Sequence, residues 1–81
     1  MERNEIEEKV RSMFIDEFEI DSENIFPGAK LKEDMGIDSL DYVDIVVMVQ
    51  KLFGVKIVSP KMEKLKTLSQ FCNYLEEEIN H

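Results

Sequence analysis

Ser39 stands in the run Asp38-Ser39-Leu40-Asp41, directly ahead of an apolar helical stretch. A hydroxyl in that position admits two readings. Asp38 or Ser39 can cap the helix, since short polar side chains accept hydrogen bonds from its first free N–H groups. Equally, the hydroxyl can bear a phosphate ester, because unpaired backbone N–H groups and the positive end of the helix dipole favour an anion there. A catalytic nucleophile is disfavoured. No histidine or second base lies near Ser39 to take its proton, and His81, the single histidine, is the last residue. If Ser39 does chemistry, it is as a modified residue.

The element that must position Ser39 is a helix opening at Asp38-Ser39 and running to about Phe53, with Gly54 as its stop signal. At about 100° per residue its side chains divide into two faces. Ile45, Val46, Val49 and Phe53 form the core side. Ser39, Val43, Val47 and Gln50 fall opposite, with Asp44 and Lys51 at the margin. Core packing does not require Val43 and Val47, so an exposed apolar strip beside Ser39 implies a docking surface.

The other elements follow from the same periodicity. Ile6, Val10, Met13, Phe14 and Phe18 place a stripe on a first helix of about four turns, and Asn4 with Glu7 has the spacing of a capping box. From Glu19 to Ile37 no period holds, and Pro27-Gly28 and Gly36 mark a long loop that Ile25, Phe26, Leu31, Met35 and Ile37 should pin to the core. Ser59-Pro60 supplies a cap and a helix-opening proline for a short third helix with Met62 and Leu65 on its apolar edge. Thr67 and Gln70 form a second capping-box pattern, ahead of a last helix whose stripe is Leu68, Phe71, Cys72, Leu75 and Ile79. Val55 to Val58 is a short β-branched run that can be extended. The expected fold is all-α: a four-helix bundle with a short third helix and a long loop between the first and second helices, forming one domain over residues 1–81.

Length and composition bound the function. A chain of 81 residues has no room for a cleft between two layers of secondary structure, so its function must sit on a surface. Cys72 is the only cysteine, which rules out an internal disulfide and leaves a zinc site without thiolates; its place in the apolar stripe of the last helix makes it a buried structural thiol. Asp34, Asp38 and Asp41 lack the alternating oxygen ligands and closing glutamate of a calcium loop, so no metal site is expected. The net charge of −8 argues against nucleic acid and for partners with basic docking surfaces. That charge is uneven: residues 1 to 40 hold twelve acids against five bases, whereas Lys51, Lys56, Lys61, Lys64 and Lys66 surround the single acid Glu63. The longest apolar stretch, Ile45 to Val49, is too short to enter a bilayer, and a cytoplasmic, monomeric protein is expected.

The octad Asp34-Met35-Gly36-Ile37-Asp38-Ser39-Leu40-Asp41 resembles the D-x-G-x-D-S-L-D signature of acyl carrier proteins. The similarity extends over nearly the whole chain, since the helices and the long loop come in that family's order and length. It implies a non-catalytic carrier: a phosphopantetheinyl transferase moves a 4'-phosphopantetheine arm from coenzyme A to Ser39, and the thiol of the arm carries acyl groups as thioesters. Asp38 and Asp41 match positions associated with the transferase contact, and Leu40, Val43, Asp44 and Val47 match the partner-facing side of the second helix. The partners implied are the transferase and acyl-transfer, ligase or condensing enzymes with basic docking surfaces.

The chain also departs from that family. Carriers of fatty acid synthesis usually continue their acidic face to the end of the second helix, where this sequence reads Gln50-Lys51-Leu52, and its third-helix region is rich in lysine. Attraction to basic partners is kept near Asp38, Asp41 and Asp44 and lost at the far end. A dedicated acyl pathway therefore stands beside general fatty acid synthesis. Two rivals are an aminoacyl or peptidyl carrier and a small helical adaptor that binds through Val43 and Val47 without any prosthetic group. Modification of Ser39 separates the adaptor from both carriers.

Overall fold

The structure, a computed structural model, describes residues 1–80; His81 lies outside them. Helix α1 spans Arg3–Phe18, α2 Asp41–Phe53, α3 Ser59–Lys64 and α4 Leu68–Asn80, with one 3-10 turn at Ser22–Asn24 between α1 and α2. The chain is all-α, with four helices of which the third is short, and the only β pairing among the described residues is an isolated bridge between Lys30 and Thr67.

The apolar stripes converge as their spacing requires. Ile6, Val10, Met13 and Phe14 of α1 meet Leu68, Phe71, Cys72 and Leu75 of α4 in one buried cluster. The Phe14 and Phe71 rings lie 5.7 Å apart, tilted at 53°, within the range where aromatic pairs attract beyond their buried area. Arg3 ties the two helices at the surface, its guanidinium donating to Glu7 at 2.9 Å, Glu76 at 3.0 Å and Asn73 at 2.6 Å.

That arrangement corrects the first helix start. Glu7 is drawn to Arg3 instead of reaching back to the backbone, Asn4 lies inside α1, and the cap position is Glu2, with no side-chain hydrogen bond. At α3 the cap is Val58, and Ser59 is already helical, with Pro60 behind it in the first turn. The capping box at α4 is present: the Gln70 N–H donates to Thr67 Oγ1 at 3.2 Å, and Gln70 Oε1 accepts from the Thr67 N–H at 3.2 Å.

The connection from α1 to α2 is ordered by backbone pairing. Leu31 N–H donates to the Lys66 carbonyl, Leu68 N–H to Ala29 and Ser69 N–H to Pro27, each at 2.9 Å, so residues 27–31 run antiparallel to the start of α4. Arg11 reaches over to the Ile25 carbonyl at 3.1 Å. Ile25, Leu31, Met35 and Ile37 are buried as expected, and Ala29 joins them. Phe26 is not: it is 45% exposed. Ile25 has extended dihedrals, and successive side chains of an extended chain point opposite ways, so burying Ile25 turns Phe26 outward. The same alternation governs the run after α2, where Val55 and Ile57 are buried and Lys56 and Val58 face solvent.

Candidate functional site

The site begins with the turn that delivers Asp38. The Lys30 carbonyl accepts from the N–H groups of Asp34 and Met35 at 2.9 and 3.0 Å, and Asp34 Oδ2 accepts from the Lys30 N–H at 2.8 Å. Gly36 follows at φ 71°, a left-handed conformation that side chains disfavour, and the Ile37 N–H closes onto the Leu31 carbonyl at 2.8 Å. Buried Met35 and Ile37 anchor this turn on the core. Asp34 is thus a loop-closing residue whose role its sequence position did not reveal; only the local Asx-type bonding of aspartate in turns hints at it. No cluster of three or more metal-ligating side chains occurs among the described residues.

Helix α2 starts at Asp41, not at Asp38-Ser39, and residues 38–40 form a tighter turn ahead of it. Asp41 Oδ2 accepts from the Asp38 N–H at 3.0 Å, while Asp38 Oδ1 accepts from the Leu40 N–H at 3.3 Å and from the Ser39 hydroxyl at 3.2 Å. The Asp41 N–H donates to the Asp38 carbonyl at 2.9 Å and the Tyr42 N–H to the Ser39 carbonyl at 3.2 Å. The two carboxylates therefore cap the turn reciprocally, with Asp in the roles that Ser and Glu take in a capping box.

This geometry revises one expectation. The N–H groups of Leu40, Asp41 and Tyr42 are all engaged, so they do not form an open cradle for a phosphate on Ser39. The helix dipole still favours an anion at this end. Ser39 itself is exposed.

Beyond Ser39 the outer face of α2 carries an apolar strip. Leu40 is 81% exposed, Val43 67% and Val47 45%, and their spacing of three and four residues puts them along one side of the helix. Asp44 is exposed beside them, and Asp41 is half-buried. The inner face buries Ile45 and Val49, half-buries Val46 and Phe53, and adds Tyr42, which the two-face reading had not assigned. Asp41, Asp44 and Val47 also line a groove of about 740 Å³ running between α2 and the end of α1, with Lys51 at its far end. Exposed Val58, just before α3, is an apolar surface residue the sequence reading passed over.

The chain's own thiol is out of reach. Cys72 is 2% exposed, and burial pushes it up to about 11, so near neutral pH it is a protonated, packed side chain.

Comparison of the sequence with known proteins finds relatives over nearly the whole chain. Residues 8–75 match the family described as "Phosphopantetheine attachment site". The acyl carrier protein of Thermosynechococcus vestitus is 34% identical over 79 residues, covering 98% of each chain. That of Akkermansia muciniphila is 36% identical over 77 residues, covering 95% of this chain and 96% of the relative. That of Thermotoga maritima is 36% identical over 77 residues, covering 95% of each.

Proposed function

The chain belongs to the acyl carrier protein family, whose phosphopantetheine attachment region spans most of it, and on that premise we propose that Ser39 is the residue that receives 4'-phosphopantetheine. The observation that carries this reading is the Ser39 hydroxyl itself: it is exposed in the turn just ahead of α2 and oriented by one hydrogen bond to Asp38. When attached, the group supplies a thiol that holds an acyl group as a thioester. Carriers of this family are not enzymes, and the thiol that carries the acyl group is that of the attached arm, since the chain's one cysteine is buried.

The chain's own residues have separable tasks in this reading. Asp38 orients the serine hydroxyl and terminates the turn; Asp41 holds the Asp38 backbone in place. Leu40, Val43 and Val47 give an enzyme an apolar strip to dock on, and Asp38, Asp41 and Asp44 draw a basic docking surface towards Ser39. The partners are a phosphopantetheinyl transferase and acyl-transfer, ligase or condensing enzymes of fatty acid synthesis or of a dedicated acyl pathway. No helix among the described residues is long and apolar enough to cross a membrane, and we place the protein in the cytoplasm as a monomeric, single-domain carrier over residues 1–81.

The test is to locate the group on the protein as its host makes it. The chain has five serines, and trypsin isolates Ser39 on the peptide Glu33–Lys51, apart from Ser12, Ser22, Ser59 and Ser69. Fragmentation should put the phosphopantetheine on Ser39; finding it on another serine would overturn the assignment.

A further inference from the structure

Resting on the assignment of Ser39 above, we propose that the outer face of α2 is a two-signed docking stripe, and that the acyl-handling enzyme it fits carries basic residues near the entry of the arm and acidic residues farther out. Asp41, Asp44, Val47 and Lys51 line one groove, spaced three, three and four residues apart on successive turns of one helix face. The stripe is acidic at the Ser39 end, apolar at half-exposed Val47, and basic at Lys51.

Its two ends act separately. Asp44 and Lys51 are seven residues apart, about 10 Å along the helix axis. The screening length at physiological ionic strength is about 8 Å, so a docked surface meets an acid and a base rather than their neutral average. Neither charge is spent internally. The salt bridges among the described residues are Arg3–Glu7 and Arg3–Glu76, and Glu17 and Glu19, which also line the groove, form no ion pair with Lys51. Lys61 does not belong to the stripe, because its ammonium lies 4.9 Å over the Tyr74 ring of α4. The next exposed base beyond the helix is Lys56.

A uniformly basic docking surface meets Lys51 as a like charge, so the same stripe that selects one enzyme rejects others. A second copy laid antiparallel also sets Asp44 against Lys51. Two chains of net charge −8 repel each other, however, which leaves the enzyme as the occupant.

The experiment measures binding of the full chain, wild type and Lys51→Glu, to a purified condensing enzyme of fatty acid synthesis whose docking surface is uniformly basic. Surface plasmon resonance in physiological salt needs no prosthetic group. Lys51→Glu should bind about 3- to 10-fold tighter. Each basic residue on the enzyme's docking rim is then reversed to glutamate. One of these changes should give the wild type the same gain and abolish the advantage of Lys51→Glu. Equal or weaker binding by Lys51→Glu, or no coupled rim residue, would overturn the stripe. A wild-type dimer on native mass spectrometry that Lys51→Glu dissolves would overturn it in favour of a second copy. A chain that binds as expected but is never modified on Ser39 would leave the stripe standing and remove the carrier assignment alone.

Discussion

Asp38 and Asp41 hold one another in place: the Asp41 carboxylate accepts from the Asp38 N–H at 3.0 Å, and the Asp38 carboxylate accepts from the Leu40 N–H and the Ser39 hydroxyl at 3.3 and 3.2 Å. The pair both ends the loop and aims the serine, so acids that attract a partner also serve the fold. Neutralising and deleting them should separate the two roles.

Asp41→Ala removes the bond to the Asp38 N–H and should cost about 1 kcal/mol in urea denaturation, the usual size of a lost cap. Asp41→Asn keeps an acceptor oxygen and should stay within about 0.5 kcal/mol of wild type, while lowering the rate of modification by a transferase with a basic docking surface. An Asn variant as unstable as the Ala variant would mean that charge, not the hydrogen bond, holds the turn.

Leu40 and Phe71 should answer oppositely to truncation. Phe71 is fully buried against Phe14, and Phe71→Ala should cost about 3–5 kcal/mol, a large part of the roughly 4–12 kcal/mol expected for a domain of this length. Leu40 is 81% exposed, and Leu40→Ala should change stability by no more than about 0.5 kcal/mol while weakening enzyme docking. Denaturation midpoints together with transferase KM values check both.

These contrasts mark what the sequence made legible. The helical stripes and the outward Val43 and Val47 follow from spacing alone, because a period of 3.6 residues leaves few ways to sort apolar side chains. Caps were less readable. Asn4-Glu7 and Thr67-Gln70 share one pattern, yet only the second forms a box, because Arg3 captures Glu7 across the first. The loop residues Ala29 and Phe26 escaped periodicity for a related reason: Ala29 is buried by pairing of residues 27–31 with the start of α4, a long-range contact, and Phe26 is turned outward by the extended backbone at Ile25. The residue type at 39 was evident, but the engaged N–H groups around it were not, since they depend on where the turn gives way to the helix.

Cys72 makes stability fall at high pH. Its folded-state pKa is raised by burial to about 11, above the unfolded thiol near 8.5, so the folded protein binds the proton more tightly. The contribution is complete below about pH 8.5 and is lost as pH rises towards 11, at up to about 1.4 kcal/mol per unit. Denaturation curves of wild type and Cys72→Ala across that window should differ in slope, the variant being flatter. Parallel slopes would show that the thiol titrates alike in both states.

Gly54 ends α2 at φ 70° with its N–H on the Gln50 carbonyl, and a Cβ there would meet open space. Gly54→Ala should therefore cost about 1 kcal/mol through backbone strain alone. Gly28 is equally open and carries no positive φ. Gly28→Ala should be neutral or stabilising by up to about 1 kcal/mol, and thermal melts of the two variants beside wild type check both.

The central claim is the modification of Ser39. Purified protein incubated with coenzyme A and a broad-specificity phosphopantetheinyl transferase should gain one phosphopantetheine by intact-mass spectrometry, and the Ser39→Ala variant should gain none. A folded wild type that gains nothing from its native transferase, with that enzyme active on another carrier, or a Ser39→Ala variant that is modified as readily as wild type, would contradict the account.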